Sequence, residues 1–415
     1  LLNSPSPLSK MKRLSLSTLV CTAAAAWLLM ACSPRPSTDA VFERGTFAYD
    51  QQFMMKYKPA IVLGTASGTA RVLVVPGYQA RVMTSSSAGD GGRSYGWINY
   101  SLVESGKIPP HIYPVGGEDR FWLGPEGGQF AIYFKKGDPF DFDHWQTPGL
   151  IDTAAYNLVA SDSTHAVFHK EASVTNYSGT TFQVAIDRTI ALLSNSDFES
   201  EFGVSPQGAS VVAYQSHNVL RNKGQDWSKK DGLLSIWILG MFNPSPATTI
   251  ILPHDPPTTD SGVATDYFGP IPPDRVRDGS NVLLFRGDGG HRGKVGIAPA
   301  IARNVAGSYD SIHHVLTLVK FDVTKDGDYV NSKWEMQEYP FKGDAVNAYN
   351  DGPLADGSQM GPFYEIESSS AVRELKTGES LQHKVVTAHL EGDKATLDRI
   401  ARTVLGVSLN DINIQ

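Results

Sequence analysis

Two stretches of this sequence bring together side chains that can do chemistry. In Gly116–Phe134, GGEDRFWLGPEGGQFAIYF, the charged residues Glu118, Asp119, Arg120 and Glu126 surround Phe121, Trp122 and Leu123. Carboxylates and guanidinium groups bind hydroxyls through directed hydrogen bonds, and an aromatic ring covers the apolar face of a pyranose. That set therefore suits a sugar site. It suits equally a turn braced by an ion pair, with Arg120 holding Glu118 or Glu126. The second stretch is Asp344–Ser370, where Asn347, Asn350 and Asp351 precede a loop and then an extended segment, Phe363–Ser368. Strand alternation puts Glu365 and Glu367 on one face and Tyr364 and Ile366 on the other. Two carboxylates about 7 Å apart along a strand repel each other. Repulsion raises one pKa, and a raised carboxylate suits a general base. The alternative is a solvated pair, each acid bonded to a neighbouring Arg or Lys.

Most of the remaining chain, which must position these groups, reads as strands. Ile61–Leu63, Ala70–Val75 and Ala80–Thr84 are short β-rich runs broken by Gly64, Gly68 and Pro76-Gly77. Residues 85–94 then form a long polar loop, a setting in which function is common. Ala166–Tyr177 and Thr180–Leu193 predict a hairpin around Ser178-Gly179, with Phe182, Val184 and Ile186 on its buried face. Val211–Tyr214, Thr248–Leu252, Val282–Arg286, His314–Asp322 and Tyr329–Met336 continue the pattern, and Phe130–Phe134 predicts a strand after Glu126. Leu233–Phe242 is nearly all apolar, which predicts a central strand covered on both sides with Trp237 in the core. Trp97, Trp122, Trp145 and Trp227 adjoin polar loops, where one or two would face a ligand. Proline-rich Pro253–Pro273 reads as an excursion over one end of the sheet, either a lid or a brace.

One helix stands out near the end. Asp393 can cap it, Leu397, Ile400, Ala401 and Val404 share a face, and Gly406 stops it. There is no repeat of fixed period, no dinucleotide-binding glycine motif, no P-loop, and no linker after Thr38. The reading is an all-β chain with one short C-terminal helix, residues 41–415 forming a single domain.

Composition narrows the function. A 41% hydrophobic content and seven tryptophans supply a real core, and a net charge of −7 argues against non-specific nucleic-acid binding. Cys21 and Cys32 are the only cysteines, so the folded part has no disulfide or thiolate metal site. Asp141, Asp143 and His144 read as a surface loop. His313 and His314 are adjacent on a strand and point to opposite faces. Neither a metal nor another cofactor is expected.

The first 40 residues read as targeting. Leu1–Lys10 precede Met11 and resemble translated upstream sequence; residues 11–31 carry the basic start and apolar run of a signal peptide. Leu29-Met30-Ala31-Cys32 resembles a bacterial lipobox, in which the cysteine receives lipid. Residues 32–40 then form a polar, proline-rich tether. The expectation is a protein of the bacterial cell envelope, held to the membrane through Cys32 on a periplasmic or outer-membrane face.

A family resemblance joins these pieces. GGEDRFWLGPEGG is similar to the GGhRxWxaPE segment of bacterial families related to galactose mutarotase. The later YEIESSSAVRELKTGESLQHKVVTAHL resembles their closing pair of strands. The resemblance spans most of Val41–Leu390 and implies a large β-supersandwich. The resemblance is to a family of secreted bacterial lipoproteins of unsettled function. Mutarotases open and close a hemiacetal ring with a glutamate base and histidine acids. On that resemblance Glu367 matches the base, and His217, in Ser216–Asn222, matches an acid. Glu118, Arg120, Trp122, Glu126, Asn218, Asn350, Asp351 and Glu365 would then hold a carbohydrate. The rival expectations are a non-catalytic glycan-binding protein and a structural surface lipoprotein.

Overall fold

Period-two runs with one apolar face can be buried only by pairing into sheets and stacking those sheets. In the computed structural model, which describes residues 42–66, 68–256 and 262–414, they do so in three antiparallel sheets. The expected signal peptide, Cys32 and tether lie outside the described residues, as do residues 257–261 of the proline-rich excursion.

The ten-stranded sheet runs, in spatial order, 276–278, 282–286, 248–253, 305–310, 315–321, 380–392, 209–222, 181–192, 165–175 and 157–161. The six-stranded sheet runs 263–264, 293–297, 346–350, 364–369, 235–242 and 120–124. A three-stranded sheet, 61–63, 71–75 and 81–86, packs with helix Phe47–Tyr57 around Leu73, Val75 and Met83. From Phe42 onward the chain clusters as one unit.

The two large sheets share a core that includes Phe168, Ile186, Leu220, Ile238, Phe242 and Ile366. Polar pairs also bridge them: Ser368 Oγ lies 2.9 Å from His383 Nε2, and Ser308 Oγ 2.7 Å from the Tyr364 hydroxyl. The outer face of the ten-stranded sheet is partly covered by helices Asn195–Phe202 and Lys394–Val404, through Phe198, Leu397 and Ile400 against Ile251, Leu316 and Leu390. Asp393 caps the second of these, accepting the Thr396 amide at 3.0 Å.

The hairpin forms as expected: Thr175 pairs with Thr181, and Gly179 takes φ +98° in the turn. Leu233–Phe242 becomes Ser235–Phe242, a strand buried at every position. Two expected strands are not strands. Phe130–Phe134 is a coil whose Ala131, Ile132, Tyr133 and Phe134 are all buried, so its side chains do not alternate. Tyr329–Met336 makes only isolated bridges. Helix Phe47–Tyr57 was not legible, because its buried positions, Phe47, Ala48, Asp50 and Met54, include an acid and leave no clean apolar stripe. The polar loop 85–94 packs beside that helix, accepting its first amides at Gly92 and Asp90.

Candidate functional site

Register fixes what stands on the outer face of the six-stranded sheet. Opposed pairs across it include Lys294 and Tyr349, Asn347 and Glu367, Tyr349 and Glu365, Leu239 and Glu367, Arg120 and Leu239, and Trp122 and Trp237. Directly opposed residues project to the same side. Tyr364 and Ser368, which alternate with the two glutamates, project the other way and bond the ten-stranded sheet. Arg120, Lys294, Glu365 and Glu367 therefore share the face turned away from the inter-sheet core.

They pair there. Arg120 Nη2 donates to Glu365 Oε1. Lys294 Nζ and Trp237 Nε1 donate to Glu367 Oε2 at 2.9 and 3.0 Å. The Lys294 ammonium also stands 4.8 Å from the Trp237 ring centre, a cation–π contact. Glu126 joins from the loop after strand Arg120–Gly124. That loop closes on residues 332–333: the Glu126 amide donates to Ser332 Oγ at 3.2 Å. Gly127 permits the approach, since a Cβ there would lie 2.2 Å from the Lys333 carbonyl oxygen. At the other border the Tyr267 hydroxyl donates to Asp344, and Asn347 Nδ2 donates to that hydroxyl at 3.3 Å. Gly296 makes room, because a Cβ would sit 1.9 Å from Asp344 Oδ2.

Burial shapes the titration of this cluster. It pushes the Glu126 carboxyl up to about 7, with Lys294 opposing the rise and Glu367 adding to it. Burial also raises Glu365, against the opposing charge of Arg120 and with the help of Glu367. Burial lowers Lys294, but the carboxylates of Glu367 and Glu126 more than reverse this, so the ammonium is raised above its ordinary value. The cluster thus places carboxyl groups that hold protons near neutral pH beside a carboxylate locked in a salt bridge. Such a set can both give and take protons.

Glu126 gives a direct test. Its folded pKa of about 7 exceeds the ordinary 4.5, so the folded chain holds the extra proton between those values. The stabilising contribution is full below about 4.5 and is lost as pH rises through about 7. Glu126→Gln removes that dependence. The melting temperature of the variant, relative to the parent chain, should rise between pH 5 and pH 8; an unchanged difference would show that Glu126 does not titrate in this window.

The expected site residues divide. Arg120, Glu126, Glu365 and Glu367 come together, and Asp351 borders them, accepting the Tyr349 hydroxyl at 2.6 Å and the Gly361 amide at 3.0 Å. Trp122 lies on the same face, but its ring is enclosed by the Arg120 guanidinium at 5.0 Å and by Tyr133 and Trp237, each at 5.6 Å. At 4% exposure it leaves no ring face for a sugar. Glu118 is not in the site: its Oε2 lies 2.6 Å from His389 Nε2, inside the sandwich. The ladder begins only at Arg120, so the alternation that aims Arg120 does not extend to Glu118. His217 is also elsewhere. Its neighbours Ser216 and Asn218 point inward, so His217 projects from the outer face of the ten-stranded sheet, 2.9 Å from Gln382. It and Glu367 stand on opposite outer faces. Asn218 bonds Arg188 and the His383 carbonyl in the interior, and Asn350 bonds Gly289 and His291 on the opposite face of its strand from Tyr349.

Lys294 was missed, although a lone lysine in GKVGI, a strand of small and apolar residues, is a signal of a buried charge. Trp237 is buried in the core as expected, and its indole N–H also serves Glu367, which an apolar strand does not announce. Trp145 packs into an aromatic roof with Tyr133 at 6.0 Å and Trp334 at 5.7 Å. Trp97 packs on Phe363, and Trp227 on Phe182. Asp141 and His144 bond each other in an exposed turn. Among the described residues no group of three or more His, Cys, Asp or Glu is arranged to hold a metal ion.

Residues 45–415 match a family described as a family of unknown function, DUF6786. No curated protein matches the chain. The solved structures that resemble it include galactose mutarotase-like proteins. One, from Lactobacillus casei, is 11% identical with a TM-score of 0.48, over 80% of this chain and 100% of that one. A galactose mutarotase related enzyme from Lactobacillus acidophilus is 10% identical with a TM-score of 0.43, over 80% of this chain and 97% of that one.

Proposed function

For a chain that belongs to the DUF6786 family, whose function is unsettled, we propose a carbohydrate-binding protein of the cell envelope whose polar sheet face does acid–base chemistry at a sugar hemiacetal. The observation that carries this reading is the cluster itself. Glu126 is poised near neutral pH beside Glu367, which Lys294 and Trp237 hold in place. In the reaction Glu367 takes the proton of the anomeric hydroxyl while a protonated carboxyl, Glu126, gives one to the ring oxygen. The ring C–O bond breaks and an open-chain aldehyde forms; reversal closes the ring on either face. Arg120 with Glu365 supplies directed hydrogen-bonding groups for the other hydroxyls.

A second reading rests on burial. Glu367 is 1% and Glu365 6% exposed, which also fits a face that braces a non-catalytic glycan-binding protein. Calorimetry of the purified chain against a panel of mono- and oligosaccharides tests what the two readings share. Binding at micromolar to millimolar affinity supports it; silence from a folded protein sinks it.

The envelope location rests on Cys32 at the end of the apolar segment. Expressed in a Gram-negative host, the chain should fractionate with membranes, and Cys32→Ala should move it to the soluble fraction or leave its precursor unprocessed. An unchanged, lipid-free membrane form in both would remove the lipoprotein reading.

A further inference from the structure

A groove opens beside the cluster of Glu365 and Glu367, not over it. It has a volume of about 590 Å³ and is lined by Tyr267, Lys333, Met336, Tyr339, Lys342 and Asp344, among others. Its volume falls in the range of small-molecule sites, about 300–1,000 Å³. We propose that this groove is a second sugar subsite, so that the ligand is a neutral oligosaccharide whose end unit reaches the acid–base cluster. The inference rests on the carbohydrate reading above and adds the ligand's length.

Three observations carry it. The groove borders the cluster: Tyr267 and Asp344 line it, and both bond Asn347, which stands opposite Glu367. One wall of the groove, with Asn331, Lys333 and Gln337, belongs to the segment on which the Glu126 loop closes, through Ser332 Oγ and the Gln129–Gln337 hydrogen bonds. Its lining has what the enclosed cluster lacks, an accessible ring: Tyr339 is 52% exposed, whereas Trp122 is 4% exposed. Lysines 333 and 342 are offset by Glu335 and Glu338, and burial raises Asp344 toward its neutral form. A lining so balanced suits hydroxyls rather than a charged ligand.

The test is calorimetry on the full chain with gluco-, galacto- and manno-oligosaccharides of one to six units. For the series that binds, affinity should rise at least tenfold from one unit to three and then level off. Tyr339→Ala, at a half-exposed position that folding tolerates, should weaken the trisaccharide at least fivefold and change the monosaccharide less than twofold. Affinity independent of length, or an equal loss for both ligands, overturns the subsite while leaving the carbohydrate reading standing. Silence from every series overturns both.

Discussion

Arg188→Met should lower the unfolding free energy by about 3–5 kcal/mol, the range for breaking one partner out of a buried ion pair. Arg188 and Asp119 are both fully buried between the sheets and paired through Nη2 and Oδ1. The same guanidinium donates to the Ala80 carbonyl at 3.1 Å and to Asn218 Oδ1 at 2.6 Å, and Nη2 also reaches the Asp119 carbonyl at 3.2 Å. It ties the three-stranded sheet, the start of strand Arg120–Gly124 and the ten-stranded sheet at one point. Methionine fills similar volume but satisfies none of these acceptors, and it leaves the Asp119 carboxylate uncompensated in the core. Urea unfolding should show a lower midpoint with unchanged slope. Asp119→Leu combined with Arg188→Met should recover more than half of the loss, because removing both charges removes the desolvation penalty as well. A single variant within 1 kcal/mol of the parent chain would show that the pair is not a keystone.

This pair marks where the sequence stops being legible. Strand periodicity is local and survives in the sequence: Phe182, Val184 and Ile186 announced a buried face, and Glu365 and Glu367 announced a shared one. What periodicity does not carry is which of two sheets a strand joins, and which face of that sheet meets the core. His217 and Glu367 both sit on well-formed strands, yet their sheets stack back to back and send the two side chains in opposite directions. Asp119 grouped with the candidate sugar-binding charges of its own stretch, because its true partner is distant in sequence and reaches it only when the sheets stack.

The covered side of the site was hidden for a different reason. Tyr133, Trp145 and Trp334 form its roof from coil segments, and coil has no period to read. Lys294 and Glu126 reach the cluster from opposite ends of the six-stranded sheet. Each has an unremarkable local context. Only their convergence on Glu367 gives them a role.

That convergence makes Glu367→Gln the decisive substitution for chemistry. On whichever sugar the calorimetric panel selects, the variant should lose at least a hundredfold in the rate of anomer interconversion, the lower bound for removing a positioned proton-transfer group. The amide oxygen can still accept the Trp237 indole N–H, so the ring that backs the site stays oriented. What the amide lacks is the ability to take a proton and the charge that balances Lys294; Glu126 remains to face that ammonium. Glu365→Gln keeps an acceptor for Arg120 and leaves Glu367 intact, so it should weaken binding more than it slows turnover. NMR exchange between anomers, read with binding affinity for each variant, separates the cases. A hundredfold loss in Glu367→Gln with affinity held within a few fold assigns the base. Turnover unchanged by Glu367→Gln removes that residue from the mechanism. If the parent chain binds the sugar without speeding interconversion, the cluster serves recognition alone, and its raised carboxyls act as neutral hydrogen-bonding groups for hydroxyls.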